Sequence, residues 1–249
     1  MKPLEPLQAP QPGAVLFANT RRLLPLLRLP VMTILVLGLS LGRAAAADKY
    51  PNMAPLEQYL MPRDSEIALA RSAAPESISR DAEVLILGPR GFEVATTGHN
   101  GFVCVVSRSW FSPIDDPQFW NPKERGPICY NAAAAHYFVP LLRKKTELVL
   151  SGKSKAELEK EIKASLVAGE LPRLGDSAMC FMMSREAYLN DNGGHWHPHL
   201  MFFARAEPAA SWGADLPGSP VFSSIDELDH VTTFMVPVSH WSDGSIDSH

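Results

Sequence analysis

The sequence predicts an α+β protein: a single domain with a mainly antiparallel sheet and helices between two groups of strands. Three observations support this fold class. Segments rich in β-forming residues come first, between residues 83 and 107. Two helical patterns follow between residues 132 and 169, and apolar or alternating segments return from 178 to 238. Strands and helices that are grouped rather than alternating are typical of α+β folds.

The first strand group is predicted to form a meander of three antiparallel strands. Residues 83–87 and 92–97 are rich in β-forming side chains and are separated by a glycine-containing turn. The third segment, 102–107, follows the dipeptide Asn100-Gly101, which is a strong signal for a β-hairpin. We therefore expect each of these strands to pair with the next one along the chain.

Two helices are predicted between the strand groups. Asn131 is a good N-cap for a helix over residues 132–150. Ser154 and Glu157 have the spacing of a capping box, which opens a second helix that ends at Gly169. Local hydrogen bonds at the helix ends therefore predict both boundaries.

The segment from 109 to 126 is predicted to be an irregular loop that covers the domain. It contains Trp110, Phe111, Phe119 and Trp120, but no regular periodicity. Aromatic side chains in a loop favour packing against the core, so we expect a covering flap. A mobile lid over a pocket is the alternative.

Residues 1–47 are predicted to be a cleaved signal peptide. Three arginines lie between positions 21 and 28, an apolar run covers 29–42, and four alanines follow at 44–47. The apolar run is shorter than the roughly 20 residues that span a membrane, although an uncleaved N-terminal anchor is the alternative. The arginine pair leaves both general secretion and twin-arginine export open. Either route predicts a periplasmic or secreted protein.

Composition limits the partners of the remaining chain. The whole chain has 23 basic and 27 acidic residues, of which five and one lie in residues 1–47, so the rest carries a net charge of −8. Such a charge disfavours nucleic acid, and no second apolar run is long enough for a membrane span after signal cleavage. Residues 48–241 are predicted to form the globular domain, and the polar residues 242–249 a disordered tail.

The three cysteines are expected to form one disulfide and one buried thiol. Cys104 lies on a predicted strand, and Cys129 follows the long loop. We predict a bond between these two, with Cys180 free, because an odd number leaves one cysteine over and free cysteines are usually buried.

The densest chemical signal is the alternation of His195, His197 and His199 after a glycine pair. Side chains two apart share one face of a strand, so the three imidazoles are expected to point the same way, followed by Met201 and Phe203. Because both faces are mostly apolar, this strand is predicted to lie inside the sheet.

Converging imidazoles can bind zinc or another transition metal, so His195, His197 and His199 are candidate metal ligands. The alternative is that His199 is a buried, hydrogen-bonded histidine and the other two decorate a loop end. Together with Trp196, the three histidines are also candidates for lining a small-molecule pocket. No nucleophile or nucleotide motif is present, so no catalytic residue is assigned.

Four short motifs carry a resemblance to known proteins. In chain order they are Asn100-Gly101-Phe102-Val103-Cys104, Gly126-Pro127-Ile128-Cys129, Pro198-His199-Leu200-Met201 and Met235-Val236-Pro237-Val238. With them the chain resembles, over roughly residues 70–238, a group of exported bacterial proteins with no assigned function. The resemblance implies no activity and assigns no catalytic residue.

The function expected from the sequence is that of an exported binding or structural module. A pocket beside the histidine strand would hold a small-molecule ligand, and nucleic acid is not expected as a partner. A mononuclear metal-dependent enzyme that uses the three alternating histidines is the alternative.

Overall fold

A single eight-stranded sheet organises the protein in the computed structural model, which describes residues 49–192 and 196–248. These residues all belong to one compact unit. The strands are β1 (Glu83–Gly88), β2 (Gly91–Thr96), β3 (Val103–Ser107), β4 (Gly126–Tyr130), β5 (Met179–Met182), β6 (His199–Arg205), β7 (Phe222–Asp226) and β8 (Val231–Pro237). Their order across the sheet is β2-β1-β3-β4-β5-β6-β8-β7. Within the described residues β1 and β3 pair in parallel and all other neighbours are antiparallel, which confirms the α+β prediction.

Four α-helices accompany the sheet in the described part of the chain. They are α1 (Arg63–Arg71), α2 (Glu76–Ser79), α3 (Ala132–Leu150) and α4 (Lys155–Ala168). Short 3-10 helices cover Leu56–Gln58, Ser109–Phe111 and Ala209–Trp212. None of the helices in residues 49–192 or 196–248 has the length and apolar character needed to cross a membrane.

The boundaries of α3 and α4 confirm the predictions from their caps. The side chain of Asn131 accepts a hydrogen bond from the backbone N–H of Ala134 at 2.9 Å. The reciprocal capping box of Ser154 and Glu157 is present at the start of α4. Gly169 ends α4 in the left-handed conformation with φ of 72°, where a residue without Cβ avoids steric cost.

The predicted meander is wrong, because β3 pairs with β1 rather than with β2. After β2 the chain crosses back over the start of β1, where Gly98 lies so close that an added Cβ would be 2.1 Å from the backbone nitrogen of Glu83. Asn100 does not form a hairpin turn. Its side chain donates to the carbonyl of Ile78 at 2.7 Å and accepts from the N–H of Phe102 at 3.1 Å. These contacts direct β3 to the far side of β1.

The sheet is covered on both faces in its first half. Leu69 and Ala70 of α1 pack in one cluster with Val84 and Ile86 of β1. The alternate residue Leu85 packs on the opposite side, in the larger cluster that includes α3. Because successive strand residues point to opposite faces and both faces are covered, β1 is apolar and buried from Val84 to Leu87.

The predicted disulfide is confirmed. Cys104 on β3 and Cys129 on β4 are directly paired in the sheet register and are bonded to each other. Cys180 on β5 is free and fully buried, as predicted.

The loop between β3 and β4 packs against the core, as predicted for a covering flap. Trp110 is fully buried, and its indole N–H donates to the hydroxyl of Thr146 on α3 at 3.0 Å. Phe119 and Trp120 are also buried and contact each other edge to face. The loop therefore closes one side of the space between the sheet and α3.

The structure tests the prediction for the C-terminal end of the chain but not the one for the N-terminal end. The predicted signal peptide, residues 1–47, lies outside the described residues. Residues 242–249 are predicted to be a disordered tail. In the structure, however, residues 242–248 form backbone hydrogen bonds with neighbouring segments. Asp247 donates its backbone N–H to Ser239 at 2.9 Å, and His240 pairs with Ile246 in an isolated bridge. Backbone pairing holds this segment despite its polar composition.

Candidate functional site

A cavity of about 390 Å³ lies between the sheet, α3 and the β3–β4 loop. This volume is within the range of small-molecule sites. Most of its wall is apolar, and a few polar side chains interrupt it. The lining residues include Phe111, Ile128, Phe138, Leu141, Met182, Leu189, Trp196, His199, Met201, Phe203, Val231 and Met235, together with Glu124, Lys145, Asp226 and Asp229. An apolar cavity with a small number of polar groups is the usual form of a binding site for an organic molecule.

One wall of the cavity comes from the strand that the histidine pattern predicted. β6 lies inside the sheet between β5 and β8, and His199, Met201 and Phe203 all line the cavity. These three residues alternate along β6, so their side chains share one face. The predicted face is therefore confirmed from His199 onward.

His199 is buried and hydrogen bonded, as expected from the alternative to metal binding. Its Nδ1 lies 3.0 Å from the carbonyl oxygen of His197, so Nδ1–H donates and Nε2 keeps an available lone pair. Burial lowers the pKa of His199, which favours the neutral ring. Trp196 also lines the cavity and packs edge to face against this imidazole, with ring centroids 4.6 Å apart. The indole nitrogen of Trp196 is buried without a hydrogen-bond partner in the described part of the chain.

His197 has a different partner from His199. β6 begins only at His199, so strand alternation does not extend back to residue 197. The Nδ1 atom of His197 lies 2.7 Å from a carboxylate oxygen of Asp247, in the C-terminal segment. His195 lies outside the described residues. Within 49–192 and 196–248, no three His, Cys, Asp or Glu side chains are grouped to hold a metal, and the three-histidine site stays a prediction.

Lys145 on α3 is the most unusual polar residue of the cavity. Its side chain is 3% exposed, and no described residue forms a hydrogen bond or an ion pair with its ammonium group. The ring of Phe111 lies beneath Nζ, with 5.2 Å to the centroid. Burial lowers the pKa of Lys145, although the charges of Asp226 and Asp229 partly oppose this. A buried lysine that lacks a direct partner costs stability, and such a residue in a cavity is a candidate for a functional site.

Glu124 brings a second buried ionisable group into the cavity. It is 6% exposed and accepts a hydrogen bond from the hydroxyl of Ser112 at 3.3 Å. Burial raises the pKa of Glu124 to about 8, and the negative charge of Asp116 adds to the effect. The carboxyl group is therefore mostly protonated at neutral pH and is able to donate a proton.

The aspartates of the cavity are held by the protein itself. Asp229 accepts hydrogen bonds from the phenol of Tyr137 at 2.5 Å and from the backbone N–H of Val231 at 3.0 Å. Burial raises the pKa of Asp229, and the charge of Asp226 acts in the same direction. Asp226 accepts from the N–H of Leu228 at 2.8 Å. These bonds fix the carboxylates beside the cavity without a direct bond to Lys145.

Asp191 is the centre of a cluster of hydrogen bonds from residues far apart in the chain. Its carboxylate accepts hydrogen bonds from Lys49, Tyr50, Lys123 and Tyr188. These donors lower the pKa of Asp191, with the bond from Lys49 contributing most. The cluster joins the start of the described chain to the loop beside the cavity.

Sequence reasoning missed both Lys145 and Glu124. A signal for Lys145 existed, because it lies three residues after Leu142 and four before Val149, on the apolar side of α3. No comparable signal existed for Glu124, whose burial depends on how an irregular loop packs.

Comparison with known proteins adds no relative. No protein-family model, curated protein or solved structure matches this chain. The resemblance to exported bacterial proteins stays a hypothesis.

Proposed function

We propose that this protein binds a small, largely apolar organic molecule in the cavity beside β6, with the polar group of the ligand directed to Lys145. The observation that carries this proposal is the placement of Lys145, a residue only 3% exposed that lines the cavity and whose ammonium group receives no hydrogen bond or ion pair from the described residues. Buried charged groups are normally paired, and a ligand would supply the missing partner. The cavity is also large enough for such a molecule.

The other polar atoms of the cavity support the same proposal. The indole N–H of Trp196 lacks a partner among the described residues, and neutral His199 has an available ring nitrogen. Glu124 adds a carboxyl group that donates a proton at neutral pH. A few convergent polar groups on an apolar wall orient a ligand, while the surrounding aromatic and aliphatic side chains contribute most of its contact area.

Binding is tested with 1-anilinonaphthalene-8-sulfonate, an aromatic probe that carries one anionic group. We expect saturable binding to the folded protein, measured by fluorescence titration. Lys145→Met should weaken the binding at least tenfold, because it removes the cation while keeping a long apolar side chain. That tenfold change corresponds to about 1.4 kcal/mol.

The matched control is Lys144→Met, on the same helix but outside the cavity wall. It should leave the dissociation constant unchanged. Thermal unfolding of each variant verifies that the probe is titrated against folded protein. Equal affinity of the Lys145→Met variant and the wild type, or no saturable binding by the wild type, would contradict the proposal.

We also propose that the protein is exported to the periplasm or secreted. The disulfide between Cys104 and Cys129 supports this, because such bonds persist mainly in oxidising compartments. Residues 1–47 have the charge and apolar pattern of a signal peptide. N-terminal sequencing of protein recovered from the exported fraction should begin at Ala47 or Asp48. Recovery of a chain that retains residues 29–42 would exclude cleavage at this site.

A further inference from the structure

We propose that Lys145 is a nucleophilic amine that forms a reversible imine with an aldehyde or ketone held in the cavity. The proposal rests on the binding function above and names the chemical class of the ligand. Its basis is the placement of Lys145, which lines an apolar cavity, is 3% exposed and receives no hydrogen bond or ion pair from the described residues.

The surroundings of Lys145 favour an amine that can react. Phe111 lies beneath the ammonium group, and Phe138 and Leu141 of the same helix line the cavity with it. Removal from water disfavours the charged form, and burial accordingly lowers the pKa of the Lys145 amine. Uncharged lysine is the form that attacks carbonyl carbon, and desolvation in an apolar pocket is a common way to obtain it.

Five other ionisable residues line the cavity, namely Glu124, Tyr130, His199, Asp226 and Asp229. Burial raises the pKa of the Tyr130 phenol, which keeps it neutral. Asp226 and Asp229 act against the loss of charge at Lys145. Both carboxylates are engaged by backbone N–H groups, and Asp229 also by Tyr137. His199 is neutral, and Glu124 is held in its protonated form by burial. The cavity therefore contains both an amine with reduced basicity and a carboxylic acid.

The reaction needs only the Lys145 amine, the Glu124 carboxyl group and the carbonyl ligand. The uncharged amine of Lys145 attacks the carbonyl carbon to form a C–N bond, and transfer of a proton from nitrogen to oxygen gives a carbinolamine. Glu124 then donates its proton to the hydroxyl group, the C–O bond breaks and water leaves. The iminium nitrogen returns one proton to the Glu124 carboxylate, which restores the acid and leaves a neutral imine. One water is released for each bond formed, and hydrolysis reverses the process.

The apolar wall explains why the reaction would be selective for Lys145. Eight lysines lie in the described residues, and Lys144 is the neighbour of Lys145 on α3. Lysines in contact with water stay protonated at neutral pH and react slowly with carbonyl compounds. A bound aldehyde would also be held near Lys145 at a high effective concentration.

The test uses trans-cinnamaldehyde as the probe and sodium cyanoborohydride to reduce any imine to a stable amine. Peptide mapping by mass spectrometry then locates the modification. We expect Lys145 to be modified at least tenfold faster than Lys144. Glu124→Gln should slow the modification of Lys145, because the amide cannot donate the proton, and should leave that of Lys144 unchanged. Equal rates at Lys144 and Lys145 would overturn the proposal.

A second measurement separates this inference from the binding function. Cinnamyl alcohol has the same frame as the aldehyde but no carbonyl, and displacement of 1-anilinonaphthalene-8-sulfonate reports whether either compound enters the cavity. Displacement by both compounds without selective modification of Lys145 overturns the imine and leaves the binding function intact. Absence of both probe binding and selective modification overturns both proposals. Selective modification of Lys145 supports the imine in every case.

Discussion

Replacing Arg108 with methionine is expected to lower the free energy of unfolding by about 3–5 kcal/mol. Arg108 and Glu66 form an ion pair at 2.8 Å, with side chains 0% and 1% exposed. Arg108 also donates to the carbonyls of Tyr59 and Val106, and the same oxygen of Glu66 accepts from the N–H of Leu87. Methionine would leave the Glu66 carboxylate buried without its counterion, and would remove a hydrogen-bond donor from each of two backbone carbonyls.

Urea unfolding at neutral pH measures this loss of stability. Arg63→Met is the matched control, because Arg63 pairs with Glu93 at 3.7 Å while both side chains are about half exposed or more. Water already solvates that pair, so its loss should cost less than about 1 kcal/mol. The double variant Glu66→Leu/Arg108→Met should recover part of the stability, because it removes the unpaired charge as well. Similar losses of unfolding free energy for Arg108→Met and Arg63→Met would contradict the expected contribution of the buried pair to stability.

Glu124 is expected to make the folded protein less stable as the pH rises from about 5 to 8. Its pKa in the folded state is raised to about 8, whereas glutamate in an unfolded chain titrates near 4.3. In this interval the unfolded chain releases the proton while the folded protein keeps it, so increasing pH favours unfolding. The stabilisation is complete below about pH 4.3 and is lost as the pH rises through 8. Each pKa unit corresponds to about 1.4 kcal/mol, and partial contact with solvent reduces the total to about 3–4 kcal/mol.

The comparison with Glu124→Gln isolates this effect from that of other titrating groups. Glutamine resembles the protonated acid in shape and accepts the same bond from Ser112. The two proteins should therefore unfold at similar urea concentrations at pH 5, and the variant should be the more stable one at pH 8. Glu161→Gln, at an exposed position of α4, should follow the wild type throughout. Parallel stability curves for Glu124→Gln and the wild type would contradict a raised pKa.

The sequence by itself determined the elements whose signals are local. Asn131 and the capping box of Ser154 and Glu157 predicted where α3 and α4 begin, because a cap bonds to backbone groups only three residues away. The alternation of His199, Met201 and Phe203 predicted one wall of the cavity for a similar reason. A strand turns successive side chains to opposite faces wherever it lies in the protein.

Only the tertiary structure decided how these elements meet. The Asn100-Gly101 dipeptide favours a hairpin, but contacts of Asn100 with Ile78 and the close approach of Gly98 to β1 direct β3 past its expected partner. Such contacts join residues more than ten positions apart, and no local propensity encodes them.

The same limit applies to the polar groups of the cavity. The apolar side of α3 includes Lys145, but periodicity shows only that this side faces inward. Whether the ammonium group meets a carboxylate, an aromatic ring or open space depends on the β3–β4 loop that packs opposite to it. That loop also buries Glu124 and raises its pKa. Ionisation inside a protein is set by distance, burial and solvent access in three dimensions, so the chemistry of this site became visible only in the folded chain.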